Sequence, residues 1–222
     1  MNTYHKIQTI FKRKIGNNSK TLLLDQYSCP EFKFLKDNTW VFTEKLDGTC
    51  MRVMFRPNDV GGEISFNGKT DRAQVYMPLL ENLQQVFLPQ YELFAQQFDH
   101  PVCLYGEGVG PKIQKNGERY TTEQNSAQHF VLFDVKIGND DERCWWLKRE
   151  DVEDIAKLFD IEIAPIVGYG TLDDMLLLCQ NGFGSQWGDF TAEGIVARPQ
   201  VDLLCRSGQR IITKLKYKDF EH

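Results

Sequence analysis

The sequence predicts an α+β fold. Apolar runs of strand length recur along the chain, helical periodicity is confined to a few stretches, and the two alternate without regular order. Strands are expected over 41–45, 51–55, 63–66, 102–107, 130–135, 162–167, 194–198 and 211–217. Pro57 with Asn58 and Gly61 with Gly62 are turn signals between the second and third strands. Residues 78–87 place Leu79, Leu80, Leu83, Val86 and Phe87 on one helical face, and Pro78 suits a first helical turn. A second helix, 91–98, follows Pro89. A third, 148–159, carries Val152, Ile155, Ala156 and Phe159 at helical spacing. A fourth, 171–181, starts on Thr171 as N-cap and stops before Gly182. No repeat, low-complexity tract or linker divides the sequence, so residues 1–222 read as a single domain.

Composition narrows the function. The formal net charge of −5 gives no overall basic field, so a nucleic-acid partner must use local patches. Two are present: Lys6, Lys12, Arg13, Lys14 and Lys20 near the start, and Arg206, Arg210, Lys214, Lys216 and Lys218 near the end. The basic N-terminal stretch lacks the apolar centre of a signal peptide and reads as a solvated first helix or loop. No apolar run is long enough to span a bilayer. The six cysteines are scattered without a C-x-x-C pair, which argues against a zinc site or a disulfide framework and for reduced thiols in a cytoplasmic setting. The four histidines do not cluster.

The chemistry begins at TEKLDGT, residues 43–49. Lys45 lies at the end of an apolar strand, between Glu44 and Asp47, with Gly48 next. A lysine is a nucleophile only as the neutral amine, so its pKa must fall well below about 10.4. Burial and nearby cations both lower it. Alone, the pattern also fits a charged surface turn. Three further carboxylates stand at strand ends: Glu107 in YGEG, Asp134 in FVLFD and Glu193 in EGIVAR. Strand periodicity sends Lys214, Lys216 and Lys218 to one face, which requires either water or an anion opposite them.

Taken in order, KLDG, GKTDRAQ, YGEG, FVLFD, EGIVAR and KLKYKDF resemble the covalent nucleotidyltransferase superfamily of ATP-dependent ligases and RNA capping enzymes. EKLDGT, NGKTDRAQ and EGIVAR look most like the RNA ligase 2 family. The resemblance runs from Glu44 to Phe220. It implies a nucleotidyltransferase domain of antiparallel sheets flanked by helices, with no C-terminal OB or helical domain within 1–222. It also implies an ATP-dependent RNA ligase that seals 3′-OH and 5′-phosphate ends through a lysyl-AMP on Lys45. Minimal DNA ligase, RNA guanylyltransferase and non-catalytic nucleic-acid-binding relative are the alternatives.

By the same resemblance Glu44 lies beside the adenine, Asp47 and Gly48 complete the nucleophile motif, and Glu107 binds the ribose. Phe133 stacks on adenine, with Phe130 as the alternative. Lys69 stands where relatives have arginine, and Arg52 or Arg72 could supply the guanidinium. Glu193 orients a divalent metal, Mg²⁺ or Mn²⁺, and Lys214 and Lys216 contact the α-phosphate. The implied partner is a pair of RNA ends in nicked or bridged duplex, engaged by a monomer.

Overall fold

The computed structural model describes residues 3–14, 21–123, 125–139 and 143–220. Lys20 lies outside them. Strands β1 (Gln8–Thr9), β2 (Phe11–Arg13) and β3 (Leu22–Tyr27) precede a short helix α1 (Pro30–Phe34) and β4 (Trp40–Glu44). Next come β5 (Thr49–Arg56), β6 (Glu63–Gly68), α2 (Met77–Phe87), α3 (Tyr91–Gln97), β7 (Val102–Val109) and β8 (His129–Gly138). These are followed by β9 (Cys144–Trp146), α4 (Arg149–Leu158), β10 (Glu162–Ile163), β11 (Ile166–Gly170), α5 (Leu172–Asn181), β12 (Gly194–Pro199) and β13 (Thr213–Lys216). The chain forms two compact units, one of Met1–His5 with Asp47–Ala164 and one of Lys6–Leu46 with Pro165–His222.

In the first unit the sheet order is β10-β8-β7-β5-β6, with β9 added on β8. All of its pairs are antiparallel except β10 on β8. Alternation along β5 sends Met51, Val53 and Phe55 into a core shared with Leu79, Leu83 and Phe87 of α2 and Val152 and Ile155 of α4. The same period turns Arg52 to the other face, where its ladder partner Tyr105 is in turn opposite Asp134. A bulge in β8 skips Phe133, because Tyr105 pairs with Asp134 while Gly106 pairs with Leu132. An extra residue re-aims side chains. Phe133 and Asp134 accordingly both meet Tyr4, and Phe130 stays in the core.

In the second unit the sheet order is β1-β13-β12-β4-β11, and β2 with β3 forms a separate hairpin. Trp40, Phe42, Ile195 and Leu215 from its strands pack with Leu172, Met175 and Cys179 of α5. Helix α5 starts as its sequence predicts: Thr171 and Asp174 make a reciprocal capping box, and Gly182 follows the last turn.

The structure corrects three expectations. The N-terminal stretch is not a solvated helix or loop; it supplies β1 and β2, and Ile10 and Phe11 are buried. Residues 162–167 are not one strand but β10 and β11, which belong to different sheets and break at Ala164 and Pro165, the latter lacking an N–H for a ladder. The lysine strand ends at Lys216, and Lys218 sits exposed in the 3₁₀ turn Tyr217–Asp219 rather than in line with Lys214 and Lys216. Arg13 donates to both carboxylate oxygens of Asp219 at 2.9 Å and so ties β2 to that turn. Among the described residues no helix is long and apolar enough to cross a membrane.

Candidate active site

In the second unit the central strand β12 brings Lys45, Glu193 and Lys216 together. It runs antiparallel to both β4 and β13, with Ile195 opposite Glu44 on one side and Gly194 opposite Lys216 on the other. The Lys45 N–H donates to the Gly194 carbonyl at 2.9 Å, which fixes the lysine one residue past the end of β4. Its ammonium donates to Glu193 Oε2 at 2.6 Å and to the Leu46 carbonyl at 3.0 Å. Lys216 donates to the other carboxylate oxygen, Oε1, at 2.5 Å. The Glu193 side chain is 8% exposed, while the two lysines reach water. Burial pushes its carboxyl up, but the charges and hydrogen bonds of Lys45 and Lys216 outweigh burial and hold it below the ordinary carboxylate range. Lys214 lies on β13 opposite Val196, two residues from Lys216 and on the same side of the strand.

Gly194 is the residue that this ladder requires. A Cβ there would lie 2.1 Å from the Leu215 carbonyl oxygen and 2.7 Å from Lys216 Cα. Any side chain would therefore push β13, and Lys216 with it, away from Glu193.

Glu44 is almost fully buried, and its carboxylate is already engaged. Ser185 Oγ donates to one oxygen at 2.5 Å and the Gln186 N–H to the other at 2.9 Å. Burial raises its pKa, and these two hydrogen bonds pull against that. The carboxylate thus anchors the loop 183–192 that leads into Glu193. The sequence offered no sign of Ser185 or Gln186 in this role, since their partner is 141 or 142 residues away.

The remaining candidates lie in the first unit. The Asp47 N–H donates to Tyr120 Oη at 3.0 Å, and Asn116 Nδ2 donates to Asp47 Oδ2 at 3.3 Å. The Gly48 N–H donates to Glu107 Oε1 at 3.2 Å. A Cβ on Gly48 would meet the Gly108 carbonyl oxygen at 2.3 Å and Glu107 Cγ at 2.8 Å, so only glycine lets this turn approach β7. Cys50 pairs with Glu107 across the ladder. Burial and then the Glu107 charge push its thiol up to about 12, against the pull of Lys69 and Arg52.

Arg52 is fully buried. Its guanidinium donates to the Gly68 carbonyl at 2.9 Å and to Asp71 at 2.6 Å, and so holds the turn that carries Lys69. Lys69 and Arg72 are exposed on that turn. Phe133 is half-buried, its ring edge-on to Tyr4 at 5.1 Å, whereas Phe130 is 5% exposed and packs edge-on to Phe87 in the core. Tyr4 also donates to Asp134 at 2.8 Å and lies against Tyr105 and Trp146. Nothing in the sequence marks a tyrosine at position 4 as a neighbour of FVLFD.

The chain thus pairs mostly antiparallel sheets and few helices with a strand-end lysine held to a buried glutamate. The family model described as RNA ligase matches residues 38–216, and the chain belongs to that family. Among solved structures, a point mutant of Naegleria gruberi RNA ligase with ATP and Mn matches with a TM-score of 0.62 and 18% identity over 99% of this chain and 62% of that one. The same enzyme with PPi gives 0.62 and 19% over 97% and 59%. A variant of it with AMP and Mn gives 0.60 and 19% over 97% and 60%. At these identities the likeness is one of fold, and the chain spans about three-fifths of the length of the structures it matches. No curated protein sequence matches significantly.

Proposed function

We infer that the chain is an ATP-dependent RNA ligase that works through a covalent AMP on Lys45. The observation that carries this reading is the Glu193 carboxylate shared between the ammonium groups of Lys45 and Lys216. ATP is a substrate here. The Lys45 ammonium loses one proton to become the neutral amine, its nitrogen then bonds the α-phosphorus and loses a second proton to solvent, while the bond to the bridging oxygen breaks and pyrophosphate leaves. Lys214 and Lys216 offset the charge that builds on the phosphates. An oxygen of an RNA 5′-phosphate then takes the adenylyl group, the N–P bond breaks and Lys45 takes two protons back from solvent. Finally a 3′-hydroxyl gives up its proton to solvent as its oxygen bonds the activated 5′-phosphate, and AMP leaves.

Among the described residues no group of three or more His, Cys, Asp or Glu could enclose a metal ion. One buried carboxylate suits Mg²⁺ or Mn²⁺, which keep most of their waters and take further oxygens from a nucleotide. Glu193 would hold the ion, which when bound neutralises phosphate charge. Structures of similar fold solved with ATP, AMP and Mn support an adenine nucleotide and a divalent metal as the cofactors. Family resemblance further gives Glu107 the ribose, Phe133 the adenine face and Glu44, Asp47, Gly48, Arg52 and Lys69 the remaining nucleotide contacts or their support. It also makes the chain one nucleotidyltransferase domain, a reading supported by a family match that runs through both units. The proposed partner is a nicked or bridged RNA duplex engaged by a monomer in the cytoplasm.

The test is to incubate the protein with α-labelled ATP or GTP and a divalent metal, then look for label that survives denaturation. Label from ATP that disappears in Lys45→Ala is expected. No label with either nucleotide would sink the covalent reading, and label from GTP alone would point to capping chemistry. Nicked duplexes with an RNA or a DNA 3′-OH strand then read the substrate preference.

A further inference from the structure

One cationic feature of the first unit is used by none of the assignments above. The loop after β7, residues 110–120 (GPKIQKNGERY), carries Lys112, Lys115 and Arg119 exposed on its surface, against one exposed carboxylate, Glu118. Neither Lys112 nor Lys115 makes an ion pair among the described residues. A solvated loop of this kind is normally loose and relaxed, and this one is neither. Lys112 and Gln114 both adopt left-handed backbone conformations, with φ of 65° and 55°. Residues other than glycine resist that region, and they persist there only where the surroundings over-determine the backbone.

The surroundings do so. The Gly110 N–H donates to the Gly117 carbonyl at 3.0 Å and closes the loop, and the Ile113 N–H donates back to Gly110 at 3.1 Å. Gln128 Nε2 donates to the Pro111 carbonyl at 2.6 Å. The side chain of Ile113, between the two strained residues, is buried in the apolar core. The far end is fixed by Asn116 and Tyr120, both hydrogen-bonded to Asp47, two residues after Lys45 in the chain. The result is a closed, strained loop that carries two exposed lysines without an ion pair among the described residues and is tied at its far end to Asp47.

We propose that this loop binds the sugar-phosphate backbone of the RNA strand, with Lys112 and Lys115 each contacting one phosphate. The proposal rests on the ligase reading for the identity of the strand, but its test does not need ligation. Each phosphate contact on a single strand steepens the salt dependence of log K by about 0.7, which corresponds to about eightfold in affinity at 50 mM salt and about fourfold at 150 mM relative to 1 M.

The experiment is fluorescence anisotropy of a labelled, 5′-phosphorylated oligoribonucleotide with the full chain across a salt series and without ATP. Lys112→Gln/Lys115→Gln is compared with wild type, with Lys112→Arg/Lys115→Arg as the conservative pair and with Lys157→Gln, an exposed lysine of α4, as control. The Gln pair is expected to lower affinity about 60-fold at 50 mM salt and flatten the slope by about 1.4, with the Arg pair close to wild type. An unchanged slope in the Gln pair, equal losses in the Arg pair, or no RNA binding by wild type would each overturn the proposal. The label assay on wild type is read separately. Absence of lysyl-AMP with lysine-dependent RNA binding sinks the ligase reading and leaves this one standing; lysyl-AMP with an unaltered salt slope does the reverse.

Discussion

Replacing Glu193 with Gln tests the centre of the site without changing its shape. In the wild type one carboxylate accepts two charge-assisted hydrogen bonds, from Lys45 at 2.6 Å and Lys216 at 2.5 Å. Hydrogen bonds to charged groups contribute about 1.5–3 kcal/mol each. Both lysine side chains touch water, at 19% and 24% exposure, so solvent screens part of this, and the amide keeps one acceptor. The net loss is therefore about 2–4 kcal/mol, because the amide's N–H₂ now faces an ammonium. Hydrogen exchange of the β12–β13 ladder amides reads this locally. If those amides exchange through opening of the ladder, Glu193→Gln accelerates them about 30- to 900-fold at pH 7. The pH dependence has a definite sign. The folded-state carboxyl of Glu193 is lowered, so its contribution is fully present above its unfolded pKa of about 4.3 and is lost as pH falls through the lower folded value. The ratio of variant to wild-type exchange, compared at equal pH, should thus shrink towards 1 in acid. A ratio under about 3 at pH 7, or one that does not change with pH, would refute the claim that the shared carboxylate organises the ladder.

Three other outcomes follow from contacts and burial in the structure. Glu44→Ala strands the Ser185 hydroxyl and the Gln186 N–H, and proteolysis within 183–192 should accelerate while Ser185→Ala produces a smaller effect; equal effects would contradict the anchoring role. Gly194→Ala forces a Cβ to within 2.1 Å of the Leu215 carbonyl oxygen, and the strand shift should cost about 1–3 kcal/mol in denaturant unfolding; an unaffected midpoint would mean that the ladder can yield there. Alkylation followed by mass spectrometry at pH 8 should leave Cys50, raised to about 12, unmodified after Cys205 has reacted, since the Ser207 hydroxyl hydrogen bond lowers the Cys205 thiol; the opposite order would contradict the burial argument.

The sequence was informative wherever the cause is local. Helix α5 could be read from Thr171, Asp174 and Gly182 because capping acts within one turn. The placing of Lys214 and Lys216 on one face follows from strand period. What stayed hidden depends on distant partners. Ile10 and Phe11 are buried only because β13 and the β2–β3 hairpin close around them, and a short stretch between lysines gave no periodicity to show it. The bulge that skips Phe133 is set by the register of β7 against β8, so strand parity alone separates Phe130 from Phe133 without saying which enters the core. Tyr4 meets Asp134 across 130 residues, beyond any motif.

The same contrast governs the surroundings of Lys45. From sequence, burial and neighbouring lysines are the expected causes of a neutral amine. The structure adds a carboxylate in direct contact, which holds the amine to Glu193. For Lys45 to attack a phosphorus it must leave that contact, and breaking one side of a buried ion pair is costly when it orphans the other charge. Lys216 removes that cost. It occupies the second oxygen of Glu193, so the carboxylate stays paired and hydrogen-bonded when Lys45 departs. A site with one lysine would have to choose between a stable carboxylate and a mobile nucleophile. With two lysines on one carboxylate, Lys45 can move while the ladder between β12 and β13 keeps its electrostatic tie. Under the proposed transfer, Lys216 would keep the Glu193 carboxylate paired while Lys45 leaves it.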